Sequence, residues 1–153
     1  MTSKVRDAIK QAVATEARRR GGARSWSIEA PKGWQEEIED TLTTYFDPDG
    51  VGALQFSSMT KTSGDVTEAE LVESIEDMGL AGEPRAAASF GAFTGYALIK
   101  EHDDGQAGQY WFLHAGPLML FATYFCETQD AHREMRVVMK TLATLRVLPG
   151  SNA

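Results

Sequence analysis

A tight turn between two strand-like runs constrains the fold of this chain more than any other feature. The turn reads Asp47-Pro48-Asp49-Gly50. Proline presets φ and glycine supplies the positive φ that such a turn needs. Residues 42–46 before it are rich in β-branched and aromatic side chains, and residues 51–58 alternate after it. Two runs joined this closely predict an antiparallel β-hairpin.

A shorter alternating run comes before the hairpin. Trp26, Ile28 and Ala30 alternate with polar residues and predict a strand over residues 25–30. The corner formed by residues 31–33 ends this strand, and Trp34 follows directly. A tryptophan in this position is expected to cover one end of the core. The acidic run that comes next is expected to form a loop leading into the hairpin.

Three segments show the features of helices. Residues 4–20 carry a thin apolar face and end at two glycines. Thr67 and Glu70 form a capping box, which predicts a helix running to about Met78. Asp130 is expected to cap a last helix over residues 131–145, whose apolar residues recur at spacings of three and four.

Between the second and third helices the chain has the pattern of a strand meander. Strands are predicted over residues 86–93, 95–101, 109–115 and 118–126. The last of these is apolar at both its odd and its even positions, so both of its faces need cover, which predicts a central strand. The element order is then β-β-β-α-β-β-β-β-α. This order predicts an α+β fold: an antiparallel sheet of about six to seven strands, two amphipathic helices packed on it, and an extra N-terminal helix.

The charge is divided unevenly along the 153 residues. Residues 1–24 have a net charge of +5, and residues 25–104 carry seventeen acids against four bases, a net of −13. We therefore expect a basic N-terminal helical arm over residues 1–24, a single α+β domain over residues 25–148 and a frayed tail over residues 149–153. The acidic body repels phosphate backbones and favours a basic partner, which could be the chain's own arm. The plainer interpretation is that the acidity only keeps the protein soluble.

Localisation follows from what the sequence does not contain. It has no apolar run near the roughly 20 residues that span a bilayer, and no N-terminal pattern of a secretory signal. One cysteine permits no internal disulfide. These observations predict a cytoplasmic protein of bacterial type that contacts no membrane.

The corner Ala30-Pro31-Lys32-Gly33-Trp34, which opens the sheet, and the long amphipathic helix that closes the chain together resemble the PsbP/Mog-like fold. The stretch from Tyr45 to Ser57 is similar to small bacterial proteins of that shape, some of which are suspected immunity proteins. The resemblance implies an antiparallel sheet with helices packed on it, and a role in binding partners rather than in catalysis. It carries over no catalytic residue.

The residues that could carry chemistry are few and scattered. Three histidines show neither zincin spacing nor a His-x-His pair, so no metal site and no cofactor are predicted. Cys126 with His114 is the one nucleophile and base pair that can be considered, but neither has a partner nearby in sequence. A buried cysteine that behaves as a small hydrophobe is the simpler interpretation. The chain is therefore predicted not to be an enzyme.

The predicted function is a non-enzymatic protein-binding module, of immunity or adaptor type, that recognises a basic partner. Its candidate contact residues are acidic and aromatic: Trp34, Glu36, Glu37, Glu39, Asp40, Tyr45 and Trp111. The aromatic residues among them have a second interpretation as core residues. The alternative function is a small-ligand-binding protein or enzyme with a pocket between sheet and helix. Strand edges left by a meander also favour a homo-oligomer.

Overall fold

The computed structural model of this chain describes residues 25–40 and 42–149. The predicted basic helical arm and the last four residues of the predicted tail lie outside the described residues. Two sheets and two α-helices make up the described part. The boundaries of the predicted domain at residues 25 and 148 stay a prediction.

The main sheet has seven strands, all paired antiparallel. In chain order they are β2 (Gln35–Glu39), β3 (Leu42–Phe46), β4 (Gly52–Thr60), β5 (Arg85–Phe90), β6 (Phe93–Glu101), β7 (Gln106–Ala115) and β8 (Leu118–Glu127). Their order across the sheet is β2-β3-β4-β8-β7-β6-β5. β8 is therefore the central strand, as its apolar composition predicted. β2 and β5 form the two edges.

The second sheet corrects the predicted position of the first strand. Only Trp26–Ser27 forms a strand there, β1, and it pairs with β9 (Arg146–Val147) near the chain's other end. The backbone N–H of Leu148 also donates to the Ser25 carbonyl at 2.9 Å. The Trp26 side chain is buried, and its ring centre lies 4.9 Å from that of Phe56. Burial of this large side chain stabilises the segment in its position beside β9.

The acidic run is a strand and not the predicted loop. β2 pairs with β3 through a two-residue connection, with Glu39 opposite Leu42 and Gln35 opposite Phe46. Asp40 in that connection adopts a φ of 47°, the left-handed region that aspartate tolerates better than most residues. Four strands, β1 to β4, therefore come before the first helix, where three were expected, and three of the four belong to the main sheet.

The two helices lie on opposite faces of the sheet. α1 (Glu68–Asp77) begins at Thr67 with the predicted capping box. Its Leu71 and Ile75 pack on Tyr110 and Phe112, and we call this side of the sheet the α1 face. α2 (Met135–Leu142) packs on the other side, the α2 face, through Val138, Leu142 and sheet residues that include Trp111 and Leu120.

Two boundaries differ from the predictions because local turns interrupt the pattern. The chain forms a 3₁₀ turn at Thr128–Asp130 before α2, so Asp130 does not cap that helix. The predicted strand over residues 86–93 is broken by a two-residue hairpin at Gly91, whose φ is 61°. The predicted turn at residues 47–50 is confirmed by the Gly50 N–H, which donates to the Asp47 carbonyl, and a similar bond closes residues 102–105 between β6 and β7.

Candidate functional site

The acidic edge, defined as residues 34–40, is the most distinctive charged surface of the described structure. All five side chains of β2 are exposed, and three of them are glutamates. Asp40 is exposed as well, and the six residues from 35 to 40 contain no basic side chain. A strand at a sheet edge that carries like charges resists pairing with other strands and creates a local negative potential.

Alternation along β2 divides its carboxylates between the two faces of the sheet. Glu36 lies opposite Tyr45 and so points to the α2 face, while Glu37 lies opposite Thr44 and points to the α1 face. Ile38 stands between the charged residues with 61% of its surface exposed. The edge therefore offers an apolar side chain on the same face as Glu36, while Glu37 and Glu39 point to the opposite face.

Trp34 connects the acidic edge to the core. Its backbone N–H donates to the Pro31 carbonyl at 3.1 Å, which closes the corner before β2. The half-buried side chain packs against the cluster on the α2 face. The prediction that this tryptophan covers an end of the core agrees with that placement.

The other two aromatic candidates are core residues. Trp111 is 1% exposed and Tyr45 is 2% exposed, and both belong to the cluster that packs against α2. The Tyr45 hydroxyl donates to Glu36 Oε2 at 2.5 Å. The structure thus brings Trp34, Tyr45 and the four acids together at β2 and β3, but it places Trp111 two strands beyond β4, on β7. Tyr45 orients an acid of this surface, and Trp111 takes the core role that was its second interpretation.

The nucleophile and base considered from the sequence are far apart. His114 lies opposite Met119 and Cys126 lies opposite Ala107, which are at opposite ends of the β7–β8 pair. At the rise of a strand this separation is roughly 20 Å. Burial raises the pKa of the Cys126 thiol, and the nearby acids Asp130 and Glu134 add to the effect. The thiol is therefore held protonated and is a poor nucleophile.

Two buried tyrosines make hydrogen bonds that serve structure. The Tyr124 hydroxyl donates to Glu134 Oε1 at 2.6 Å, which fastens the start of α2 to the central strand. His102 Nε2 and the Tyr110 hydroxyl share a bond of 2.9 Å beside the β6–β7 turn. Burial lowers the pKa of His102, with Lys100 adding to it, and burial raises the pKa of Tyr110. Both groups are thereby kept neutral.

A polar row inside the sheet was missed by the sequence reasoning. Thr44, Gln55 and Thr123 lie side by side on the α1 face of β3, β4 and β8, and all three are buried. Gln55 Nε2 donates to Thr44 Oγ1 at 3.2 Å, while Gln55 Oε1 and Thr123 Oγ1 have no hydrogen-bond partner among the described residues. The alternation of β4, polar at 55 and 57 and apolar at 54 and 56, was the available signal.

Within residues 25–40 and 42–149, no three histidine, cysteine or carboxylate side chains gather as metal ligands would. In the same part of the chain, no helix is long and apolar enough to cross a membrane.

Comparison with known proteins shows similarity in fold at low sequence identity. No protein-family model matches the sequence, and no curated protein matches it significantly. A crystal structure from Bacteroides thetaiotaomicron is similar with a TM-score of 0.60 at 12% identity, over 82% of this chain and 46% of that one. This chain thus spans less than half of that protein's length.

Two further solved structures cover most of both chains. LpqN of Mycobacterium tuberculosis, involved in cell envelope biogenesis, has a TM-score of 0.52 at 14% identity, over 84% of this chain and 86% of its own. The Ran-binding protein Mog1p of Saccharomyces cerevisiae has a TM-score of 0.49 at 11% identity, over 84% and 93%. The similarity to the Bacteroides structure and to LpqN is one of fold alone. No comparison supports an immunity-type assignment.

Proposed function

We propose that this chain is a non-enzymatic, adaptor-type binding module whose acidic edge recognises a basic surface on another protein. The observation that carries the proposal is β2 itself: every side chain of this edge strand is exposed, and its charges are all negative. Clustered carboxylates attract a basic partner over a distance and select against acidic ones.

An apolar contact point supports the same interpretation. Ile38 is among the few large hydrophobic side chains that the described structure leaves exposed. Binding surfaces commonly combine a central apolar anchor with a polar rim, because the anchor supplies affinity and the rim supplies orientation. In the acidic edge Ile38 would be the anchor, and Glu36, which points to the same face of the sheet, would belong to the rim.

The interior of the molecule favours this proposal over the alternative of a ligand pocket. The space between α1 and the sheet is filled by Leu71, Ile75 and Phe112, each at most 2% exposed. The separation of His114 from Cys126 and the raised pKa of Cys126 also count against a thiol enzyme. A protein that acts by surface contact needs neither a ligand cavity nor a nucleophile with a lowered pKa.

The experiment compares three forms of the protein: wild type, Glu37→Lys and the matched control Glu76→Lys. Glu76 is an exposed glutamate on α1, away from β2. The forms are titrated with a lysine-rich decapeptide while backbone amide shifts are followed by NMR. We expect the largest shifts at residues 35–40, roughly tenfold weaker binding for Glu37→Lys, and little change for Glu76→Lys.

Each form then serves as bait for basic proteins from the source cell at low and high salt. A partner retained by wild type and Glu76→Lys, but lost by Glu37→Lys and at high salt, supports the proposal. Peptide shifts centred on α1, or partners retained equally by all three forms, would overturn it.

A further inference from the structure

The other edge of the sheet has the opposite character. β5 carries three alanines, a serine and a phenylalanine, with one charge at Arg85. Five of its six residues are exposed or half-buried, and its pairing is with β6 alone. Short charged strands, prolines and covering loops are the usual protections of a sheet edge. Residues 86 to 90 carry no charge and no proline, and Ala86 and Ala87 are exposed among the described residues.

The hairpin fixes which backbone groups of β5 point outward. Phe90 and Phe93 flank the two-residue loop, and residues in that position form a hydrogen-bonded pair. Bonded and non-bonded pairs alternate along an antiparallel ladder, so Ala88 and Ala86 also bond to β6. The N–H and C=O groups of residues 85, 87 and 89 therefore point away from the sheet. No backbone hydrogen bond from the described residues reaches them.

We propose that β5 pairs with β5 of a second copy of this chain, in an antiparallel arrangement centred on Ala87. A two-fold axis perpendicular to the sheet places Ala87 opposite Ala87 of the second copy and Arg85 opposite Ser89. These are the three outward-pointing positions, so this register forms about six hydrogen bonds between the copies. Side chains opposite one another then share a face, which keeps both α1 faces on the same side of the joined sheet.

The charges on this edge do not oppose the pairing. The Arg85 guanidinium lies 5.0 Å from the centre of the Tyr96 ring, and the Tyr96 hydroxyl donates to Glu68 on α1. The arginine is thus held over β6 and not over the open edge. In the two-fold arrangement the two arginines stand at opposite ends of the pair, where they do not repel each other strongly.

The side chains favour a second copy over a foreign peptide. Strand addition by a foreign peptide gains its selectivity from pockets or charges beside the edge. Here the neighbouring side chains are Ala86, Ala87, Ala88 and Ser89, which are too small to form pockets. Backbone pairing between two identical alanine-rich strands needs no such features. Because a six-residue strand pair buries less than the roughly 1,600 Å² of a standard interface, we expect a dimer with a micromolar dissociation constant.

The test is sedimentation equilibrium of wild type, Ala87→Pro and Ile38→Pro. Proline at 87 removes an outward N–H without touching the bonds to β6, and proline at 38 makes the equivalent change on the β2 edge. We expect concentration-dependent dimers for wild type and Ile38→Pro, and at least a tenfold larger dissociation constant for Ala87→Pro. Ala87→Lys provides a second variant if proline prevents folding, because it places like charges opposite one another.

Cross-linking gives an independent readout of the register. Opposed residues of a bonded pair have Cα atoms about 5.5 Å apart, within the range of a disulfide. The natural Cys126 is buried, so an introduced cysteine is the reactive thiol. Mild oxidation should convert the Ala87→Cys variant into disulfide-linked dimers and leave the Ile38→Cys variant without a covalent link between copies. A wild type that stays monomeric at millimolar concentration, a dimer lost in Ile38→Pro instead, or a monomer that pairs β5 with a foreign protein would each overturn the proposal.

Discussion

At one edge of the seven-stranded sheet, β2 carries three glutamates around an exposed isoleucine; at the other, β5 carries three alanines and a serine. The two edge strands are similar in length, five residues in β2 and six in β5. Like charges along β2 repel a second copy of the same strand, whereas nothing along β5 does. This difference in charge is the reason for our two proposals, a basic partner at β2 and a second copy of the chain at β5.

The two edges are also attached to the sheet by different means. β2 is joined to β3 by pairing and by the Tyr45 hydroxyl on Glu36. β5 pairs with β6, which in turn packs closely against β7 at Gly95, and α1 lies over that half of the sheet. Three substitutions, each followed by a stability measurement, distinguish these attachments.

Gly95→Ala should destabilise the half of the sheet that contains β5. A Cβ at this position would overlap the carbonyl of Phe112 on β7, and that backbone cannot move without disturbing the sheet. We expect a loss of about 3–5 kcal/mol in the free energy of unfolding and a fall in Tm of roughly 10–15 °C. Thermal and urea unfolding followed by circular dichroism measure this. Gly82→Ala is the control, because nothing lies within 4 Å of its new methyl group; equal losses in both would refute the explanation.

Tyr45→Phe should loosen the β2 edge while leaving its charges in place. The substitution removes the hydroxyl that donates to Glu36 Oε2 and keeps the buried ring. A hydrogen bond to a charged acceptor contributes more than a neutral one, so we expect a loss of about 1–2 kcal/mol in urea unfolding. Glu37→Gln, on the opposite face of the same strand, should change stability by less than about 0.5 kcal/mol. Equal losses of stability in the two variants would show that the hydrogen bond from Tyr45 to Glu36 does not stabilise this edge.

The smallest effect concerns the support that α1 gives to the β5 half. Lys61 Nζ donates to Glu70 Oε1 at 2.8 Å and the Thr67 N–H donates to the same oxygen at 2.9 Å, which lowers the pKa of the Glu70 carboxyl. A pKa lower in the folded than in the unfolded state adds stability above the ordinary carboxyl pKa. That contribution is lost as pH falls through the folded pKa.

Wild type should therefore exceed Glu70→Gln in stability at pH 7 by less than about 1 kcal/mol, because Glu70 is one-third exposed. Repeating the measurement at about pH 3, below the ordinary carboxyl pKa of about 4.3, should give a smaller difference. Urea unfolding at both pH values measures it, with Glu73→Gln on the solvent side of the same helix as control. A difference that persists unchanged in acid would contradict the assigned role of the carboxylate.

Local signals account for the parts of the fold that the sequence predicted correctly. The turn at residues 47–50 and the capping box at Thr67 each depend on a few neighbouring residues, so no distant contact could reverse them. β8 was placed centrally because apolar residues at both parities need cover on both faces. The acids of the candidate site were found for the same reason, since their charge requires exposure wherever they lie.

Residues whose roles depend on distant partners were predicted less well. Alternation over residues 25–30 indicated a strand, but its partner β9 is about 120 residues away, and the pattern does not name it. Tyr45 and Trp111 were candidates for an exposed aromatic surface because aromatic side chains are common in interfaces. In the structure both side chains are buried in the cluster that packs against α2. The polar row at Thr44, Gln55 and Thr123 was hidden because each residue came from a different strand.

The sequence by itself determined the α+β class, the positions of most strands and of both described helices, and the acidic character of one segment. These follow from periodicity, turn residues and charge, which are properties of neighbours along the chain. The tertiary structure decided that this segment is an edge strand and that β5, with its small side chains, is the opposite edge. An edge is defined by which strand finds no further partner, and that depends on how all seven strands pair.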